Sequence, residues 1–310
     1  MKNINTYEIL NLFGIHDILN VSSIKTGHIN HTFLADCRNG KYILQSLNRK
    51  IFKNPYAVMN NIAKIEQTFR SSGQNKITVP HYIKTENKSF LEINGEIWRV
   101  YEYTENSKIP ENNDYLTGFA FGKFINLMNS KNIILEDTIE NFHDFNKYYN
   151  RIPNEFLKRF DKLRGKFEIF NNIPKRNVHN DAKADNIIFG KSTTIIDLDT
   201  AMNGFVAIDY GDIIRSGGNI INITQGFADG LDGLLSEDEI NSLYYGILYV
   251  ISELAMRYII DCVSDERYFS ATSPQQCHKR AEELLIQLDY FENNSDIQNI
   301  IIKSFWIMSP

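Results

Sequence analysis

The sequence predicts an α+β chain in two parts, a β-rich N-terminal lobe over residues 1–104 and a mainly helical C-terminal lobe over residues 105–310. Three observations carry that expectation. An Asn94-Gly95 pair separates two runs of strand character, apolar residues recur at helical spacing from Leu116 onward, and one loop rich in Asp and Asn interrupts the helical part between Val178 and Thr200.

In chain order, the first strand candidate is Lys41 to Leu47, bounded by Asn39-Gly40 and Asn48. Asn54-Pro55 then opens a helix, with Asn54 as N-cap and Pro55 at the first helical position. Val58, Met59, Ile62, Ile65 and Phe69 continue it on one face, and Gly73 is placed to end it. Ser89 to Ile93 and Glu96 to Tyr103 form a hairpin around Asn94-Gly95, the pair a type I′ turn selects because both central residues need positive φ. Thr104 to Asn113 is polar, contains Pro110 and reads as a linker. Beyond it, Leu116, Phe119, Ala120, Phe124 and Leu127 share a helix face, and a further helix follows Pro153 through Phe170. Short apolar runs at Ile187 to Phe189 and Thr194 to Ile196 flank Gly190-Lys191-Ser192; from about Ile208 the period is helical again.

Bulk properties narrow the function classes. With 310 residues, 43% hydrophobic and 23% charged, the chain can bury a large core, and 20 Phe with 16 Tyr exclude a disordered composition. A net charge of −5 and the lack of a basic run argue against a nucleic-acid partner. Cys37, Cys262 and Cys277 are scattered and show no C-x-x-C spacing, as expected of reduced thiols. Glu8 and Asp17 interrupt any secretory pattern, and the apolar stretch from Gly246 to Ile251 is too short to span a bilayer, so no membrane partner and a cytoplasmic location are expected. No feature of the sequence encodes an oligomeric state.

The chemistry concentrates in His179-Asn180-Asp181-Ala182-Lys183-Ala184-Asp185-Asn186, followed by Asp197-Leu198-Asp199. Phosphoryl transfer needs one group to orient and deprotonate an acceptor hydroxyl, and hard oxygen ligands for the divalent ion that neutralises the triphosphate. Asp181 suits the first task, Asn186 and Asp197 the second. Protein kinases space these parts as H-R-D-x-x-x-x-N and then D-F-G, and His179-x-Asp181 with Asn186 repeats the spacing. A polar loop with Asp181 as a helix cap and Asp197 on the surface would account for each residue singly, but not for their joint placement behind a β-rich lobe.

This loop resembles that of the aminoglycoside phosphotransferase and choline kinase group, which implies a protein-kinase-like two-lobe fold. A narrower resemblance, to the N-acetylhexosamine 1-kinases, rests on Gly27 to Phe33, Tyr42-Ile43-Leu44-Gln45, Phe52-Lys53-Asn54-Pro55, Ile196 to Thr200, Asp209 to Arg215, Glu253 to Arg257, and Tyr268-Phe269. It implies ATP as phosphoryl donor, Mg²⁺ as its ion, and the anomeric hydroxyl of a sugar as acceptor. Asp181 is then the base and Lys183 contacts acceptor or phosphoryl, although Lys183 also suits a solvated loop. Asp199 either backs the metal or touches metal or sugar. Gly27 and Asn30 lie in the turn expected over the phosphates, and His28 faces the sugar; the same residues also suit a plain polar hairpin turn. Gln45 takes the place of the kinase strand lysine, which leaves Lys183 and Mg²⁺ as the cations for the triphosphate. Arg99 to Tyr103 becomes the hinge, with the backbone of Glu102 and Tyr103 pairing with adenine. Arg257 and Tyr268 are sugar-binding residues by the same resemblance, and Asp209 holds the loop backbone. Other acceptors on this fold (choline, homoserine or an aminoglycoside) and a catalytically silent nucleotide-binding scaffold are the competing expectations.

Overall fold

The computed structural model describes residues 5–24, 29–130, 133–264, 269, 273–294 and 296–306. In chain order its first elements are α1 (Thr6–Leu12), β1 (Ile18–Ile24), β2 (His31–Cys37), β3 (Gly40–Ser46), α2 (Pro55–Ser71), β4 (Ile77–Thr78), β5 (Leu91–Ile93) and β6 (Glu96–Glu102). Then come α3 (Asn113–Asn129), α4 (Phe145–Tyr149), α5 (Asn154–Lys166), β7 (Arg176–Val178), β8 (Ile187–Phe189), β9 (Thr193–Ile195) and β10 (Met202–Gly204). The remainder is helical: α6 (Val206–Arg215), α7 (Ile220–Leu231), α8 (Glu237–Val263), α9 (Pro274–Asn293) and α10 (Asp296–Trp306). Single turns of 3₁₀ helix occupy Ala184–Asn186 and Leu198–Thr200, the two places where the sequence puts its acidic motifs.

The chain divides into two compact units: residues 1–109, 135–139 and 188–201, and residues 110–134, 140–187 and 202–310. The expected cut at 104/105 is therefore moved, and the second lobe is not one continuous stretch. The reason is strand pairing: β9 lies parallel to β4, with Ile77 opposite Thr193 and Thr78 opposite Thr194, so the segment bearing Asp197 and Asp199 folds with the strand unit.

In the strand unit a five-stranded antiparallel sheet has the order β1-β2-β3-β6-β5. Its hairpin turns at Asn94 (φ 53) and Gly95 (φ 83), both left-handed, as the Asn-Gly pair requires. One sheet face packs on α1: Ile9, Leu10 and Phe13 lie with Ala35, Leu44 and Val100, all at most 4% exposed. Burying each large apolar side chain stabilises the unit by about 2 kcal/mol. Helix α2 starts where expected, with the Asn54 side chain accepting the Ala57 N–H at 3.3 Å, and its whole apolar stripe from Val58 to Phe69 is buried.

In the helical unit α6 and α8 meet through glycines. A Cβ added at Gly246 would sit 1.9 Å from the Ala207 carbonyl oxygen, and one at Gly211 2.4 Å from that of Gly246. This backbone-to-backbone approach fixes Asp209 and Asp212 on α6 against the helix that bears Glu253 and Arg257. Helix α8 begins with a capping box, Ser236 accepting from the Glu239 N–H and Glu239 from the Ser236 N–H. Glu239 also takes a two-pronged bond from Arg176, at 2.6 and 2.8 Å, which ties α8 to β7 just ahead of the loop at residues 179–186. Among the described residues no helix is long and apolar enough to cross a membrane.

Candidate active site

The loop after β7 is held by its backbone. His179 is fully buried, its ring set edge-on to Phe121 and Phe124. The N–H groups of His179 and Asn180 donate to the two carboxylate oxygens of Asp209, at 2.7 and 2.6 Å. Asn180 stands at φ 62, a left-handed conformation that Asn tolerates better than most residues. Burial pushes the Asp209 carboxyl up to about 7, against the two N–H bonds that favour its charge. Asp209 thus holds the loop backbone through both of its oxygens. At the far end, the Ala184 N–H donates to the Ser216 hydroxyl just past α6 at 3.1 Å, and Arg215 folds back on Asp212.

On this frame Asp181, Lys183 and Asn186 converge. Lys183 Nζ donates to Asp181 Oδ2 at 2.7 Å, and Asn186 Nδ2 donates to the Asp181 carbonyl at 2.7 Å and to Oδ2 at 3.0 Å. Burial alone would raise the Asp181 carboxyl. The Lys183 ammonium and the Asn186 amide outweigh it and hold the group below the usual carboxylate range, so it is ionised and able to accept a proton. Because both contacts of Asn186 use its amide nitrogen, its oxygen remains as the atom to offer a cation.

His143, which no sequence signal marked, links this loop to α8. Its Nε2 lies 2.8 Å from the Asn180 carbonyl and its Nδ1 2.8 Å from Glu253 Oε2, so both ring nitrogens face acceptors. Both must then carry protons. Burial disfavours that cation, but Glu253 and the Asn180 carbonyl override it and raise the imidazole to about 9. Glu253 is 2% exposed and also lies 3.8 Å from Arg257. The Glu253–Arg257 pair, four residues apart on α8, is therefore long, and the shorter partner of Glu253 is His143. The Arg257 guanidinium rests on aromatic faces, 5.7 Å from the Tyr148 ring centre and 5.3 Å from that of Phe269.

The strand unit carries a second constellation. Arg99 is the largest of its fully buried side chains, at 2% exposure. Its Nη1 donates to Asp199 Oδ1 at 2.5 Å and its Nη2 to Oδ2 at 2.9 Å. Its Nε and Nη2 also donate to Gln45 Oε1, at 3.0 and 2.7 Å, across the β3–β6 register that sets Gln45 opposite Arg99. Gln45 Nε2 in turn donates to Thr32 Oγ1. Asn30 Nδ2 donates to Asp199 Oδ2 at 2.7 Å, and Asn30 Oδ1 accepts the Asn48 N–H at 3.1 Å. Asp197 is exposed and left-handed at φ 60, directly ahead of the turn that contains Asp199. Asn61, buried on α2, closes that turn from the other side by donating to the Ala201 carbonyl at 2.9 Å.

Several expectations change. Gln45 does not stand in for a phosphate-holding lysine, because its amide is spent on Arg99 and Thr32. Among the described residues, the cation bonded to both Gln45 and Asp199 is Arg99, which the sequence reading placed in a hinge. Asp199, with both oxygens bonded and 1% exposure, has no surface to offer a sugar or metal. Asn30 points its side chain at Asp199 and Asn48. The N–H groups of Glu102 and Tyr103 donate to the His81 and Lys41 carbonyls at 3.1 and 2.9 Å, so those two donors are used within the unit and not available to adenine. Gly27, His28 and Tyr268 lie outside the described residues. Arg99 did leave a trace in the sequence: it shares strand parity with buried Ile97, a slot where an apolar residue belongs and a charge demands a buried partner.

Comparison with known proteins bears on these parts directly. Residues 135–234, which span the loop, Asp197 and Asp209, match the sequence profile described as the phosphotransferase enzyme family. Among solved structures, a spectinomycin phosphotransferase in complex with ADP and spectinomycin superposes with a TM-score of 0.60 at 14% identity, over 98% of this chain and 99% of that one. A choline/ethanolamine kinase family protein from Mesorhizobium loti gives 0.62 at 13% identity, over 93% and 92%. A microcompartment-associated aminopropanol kinase gives 0.65 at 10% identity, over 92% and 98%. The fold is kinase-like, with a β-sheet unit followed by a helical one. The loop with Asp181 lies inside the stretch that matches the phosphotransferase profile.

Proposed function

We propose that this phosphotransferase transfers the γ-phosphoryl of ATP to the anomeric hydroxyl of a sugar, an N-acetylhexosamine or a close relative, giving the sugar 1-phosphate. The observation that carries the reading is the ionised Asp181, bonded to Lys183 and Asn186 on a loop whose backbone Asp209 holds. Asp181 accepts the acceptor's proton as the oxygen attacks. The new O–P bond forms while the bond from the γ-phosphorus to the bridging oxygen breaks and ADP departs. Lys183, 2.7 Å from the base, keeps Asp181 ionised beforehand and places a positive charge beside the attacking oxygen.

Mg²⁺ suits the donor that each unit offers by itself, the amide oxygen of Asn186 in the helical unit and the exposed carboxylate of Asp197 in the strand unit, both hard oxygen ligands. When bound it would neutralise charge on the triphosphate.

For the acceptor, the arrangement favours a neutral polyol over an ammonium compound. The carboxylates that α6 and α8 bring to the loop are already engaged, Asp209 by the His179 and Asn180 N–H groups, Asp212 by Arg215 and Glu253 by His143, so none of the three is left to match an ammonium group. The resemblance to hexosamine 1-kinases supports the same choice.

The test is an ADP-release screen of the purified protein with MgATP across N-acetylglucosamine, N-acetylgalactosamine, simple hexoses, choline, homoserine and kanamycin, with ³¹P NMR of any product. Turnover with an N-acetylhexosamine and a phosphorus signal coupled to the anomeric proton is expected. Turnover with choline or kanamycin and none with sugars overturns the acceptor class. No phosphorylated product with any alcohol overturns the whole reading.

A further inference from the structure

The Arg99 cluster has no part in the chemistry above, yet it is the most completely buried charge system of the strand unit. Four donated bonds leave one guanidinium, two for each partner: Asp199 takes Nη1 and Nη2, and Gln45 takes Nε and Nη2. Asn30 adds a further bond to the same carboxylate, so one network joins three places. These are the strand position where kinases carry a lysine, the turn after β1, and the 3₁₀ turn that follows Asp197.

Geometry explains what such a network can do. Asp197 sits at φ 60 and ψ 52, a conformation a non-glycine residue holds only where its surroundings impose it. The turn that follows is pinned at Asp199 by Arg99 and at Ala201 by Asn61. Fixing Asp199 from a fully buried, planar, two-pronged donor therefore fixes the direction in which Asp197, two residues earlier, presents its carboxylate. Gln45 keeps the guanidinium in plane from the neighbouring strand, and the Tyr82 ring lies 5.7 Å from it.

We propose that Arg99 is a positioning residue for the metal-bound nucleotide: it supplies from β6, through Asp199, the order that a lysine on β3 supplies in protein kinases, and it aims Asp197 and Asn30 at once. The assignment rests on the reading of Asp197 as a ligand of the nucleotide's Mg²⁺. It also accounts for Gln45, whose amide serves Arg99, so a lysine there would have to displace the arginine.

The experiment measures binding of a non-hydrolysable ATP analogue with Mg²⁺ and with EDTA, beside thermal melting, for the full chain, Arg99→Lys, Arg99→Met and the double variant Arg99→Met with Gln45→Lys. In wild type, Mg²⁺ should tighten analogue binding. Arg99→Met should weaken the Mg²⁺-dependent affinity by about 10- to 100-fold, the range for residues that orient metal ligands, and the Mg²⁺-free affinity by much less. Arg99→Lys, which keeps charge but not the planar fork, should fall between. The double variant should regain part of the loss, since a lysine at 45 stands opposite position 99 in the β3–β6 register and returns a cation next to the one removed. Arg99→Lys with wild-type Mg²⁺-dependent affinity overturns the proposal, as does equal loss with and without Mg²⁺. If Arg99→Met does not fold, the Lys variant and the double variant decide alone. Should wild type bind no nucleotide at all, the proposed function fails. Should it bind and turn over while the variants match it, only the role of Arg99 fails.

Discussion

In the helical unit Asp209 is held by two backbone N–H groups, those of His179 and Asn180, and its job is to shape the main chain. In the strand unit Asp199 is held by the side chains of Arg99 and Asn30, and the bonds run between strands and turns far apart in sequence. The two carboxylates are equally buried, at 0% and 1% exposure, but depend on charge to different degrees. Backbone amides are neutral donors, so Asp209 needs oxygen atoms in the right places more than it needs a negative charge. Arg99 is a buried cation, so Asp199 must be an anion. The contrast predicts that the two sites tolerate change differently.

The largest effect should come from Asp199→Asn. It leaves the Arg99 guanidinium buried without a counter-charge, a loss of about 3–5 kcal/mol of stability. Urea unfolding checks it, and a change below 1 kcal/mol would break the contrast.

A somewhat smaller, pH-dependent effect belongs to His143. Its folded-state pKa is raised from 6.5 to about 9, so the protonated form is favoured by folding. Stability from this group is fully present below pH 6.5 and lost as pH rises through 9, by roughly 3 kcal/mol at most. The difference in unfolding free energy between wild type and His143→Gln should shrink across that window. A difference that stays constant from pH 6 to 9.5 removes the imidazolium from the account.

Smallest should be Asp209→Asn, which keeps one accepting oxygen for the loop and discards a charge that burial already disfavours. About 1 kcal/mol is expected. Asp209→Ala, which strips both N–H groups of their acceptor, should cost more than twice as much. If Asn and Ala at 209 are equally damaging, charge rather than placement is what Asp209 contributes.

The same contrast governs what could be read before the structure. The helical unit's loop was legible because its parts lie within one stretch: His179, Asp181, Lys183 and Asn186 are neighbours in sequence, and the spacing that defines the chemistry is itself a string of letters. The Asn94-Gly95 turn and the α2 cap were legible for the same reason, since each is a local rule. The strand unit's network was hidden because Arg99 meets Asp199 across 100 positions and Gln45 across 54. Strand parity gave only the hint that a charge occupied an inward slot. At the expected hinge, the sequence does not show that the Glu102 and Tyr103 N–H groups already donate to His81 and Lys41. His143 was invisible for a further reason. It stands in a loop at φ 55, with no periodic neighbour to say which way its ring points.

The proposed function rests on Asp181 as the base. The direct measurement is Asp181→Asn, compared with wild type for kcat with MgATP plus the best acceptor and for affinity toward an ATP analogue. Loss of three or more orders of magnitude in kcat, with analogue affinity within about twofold of wild type, is the predicted outcome, in keeping with the weight of a positioned base in catalysis. Turnover that survives the substitution within tenfold would contradict it.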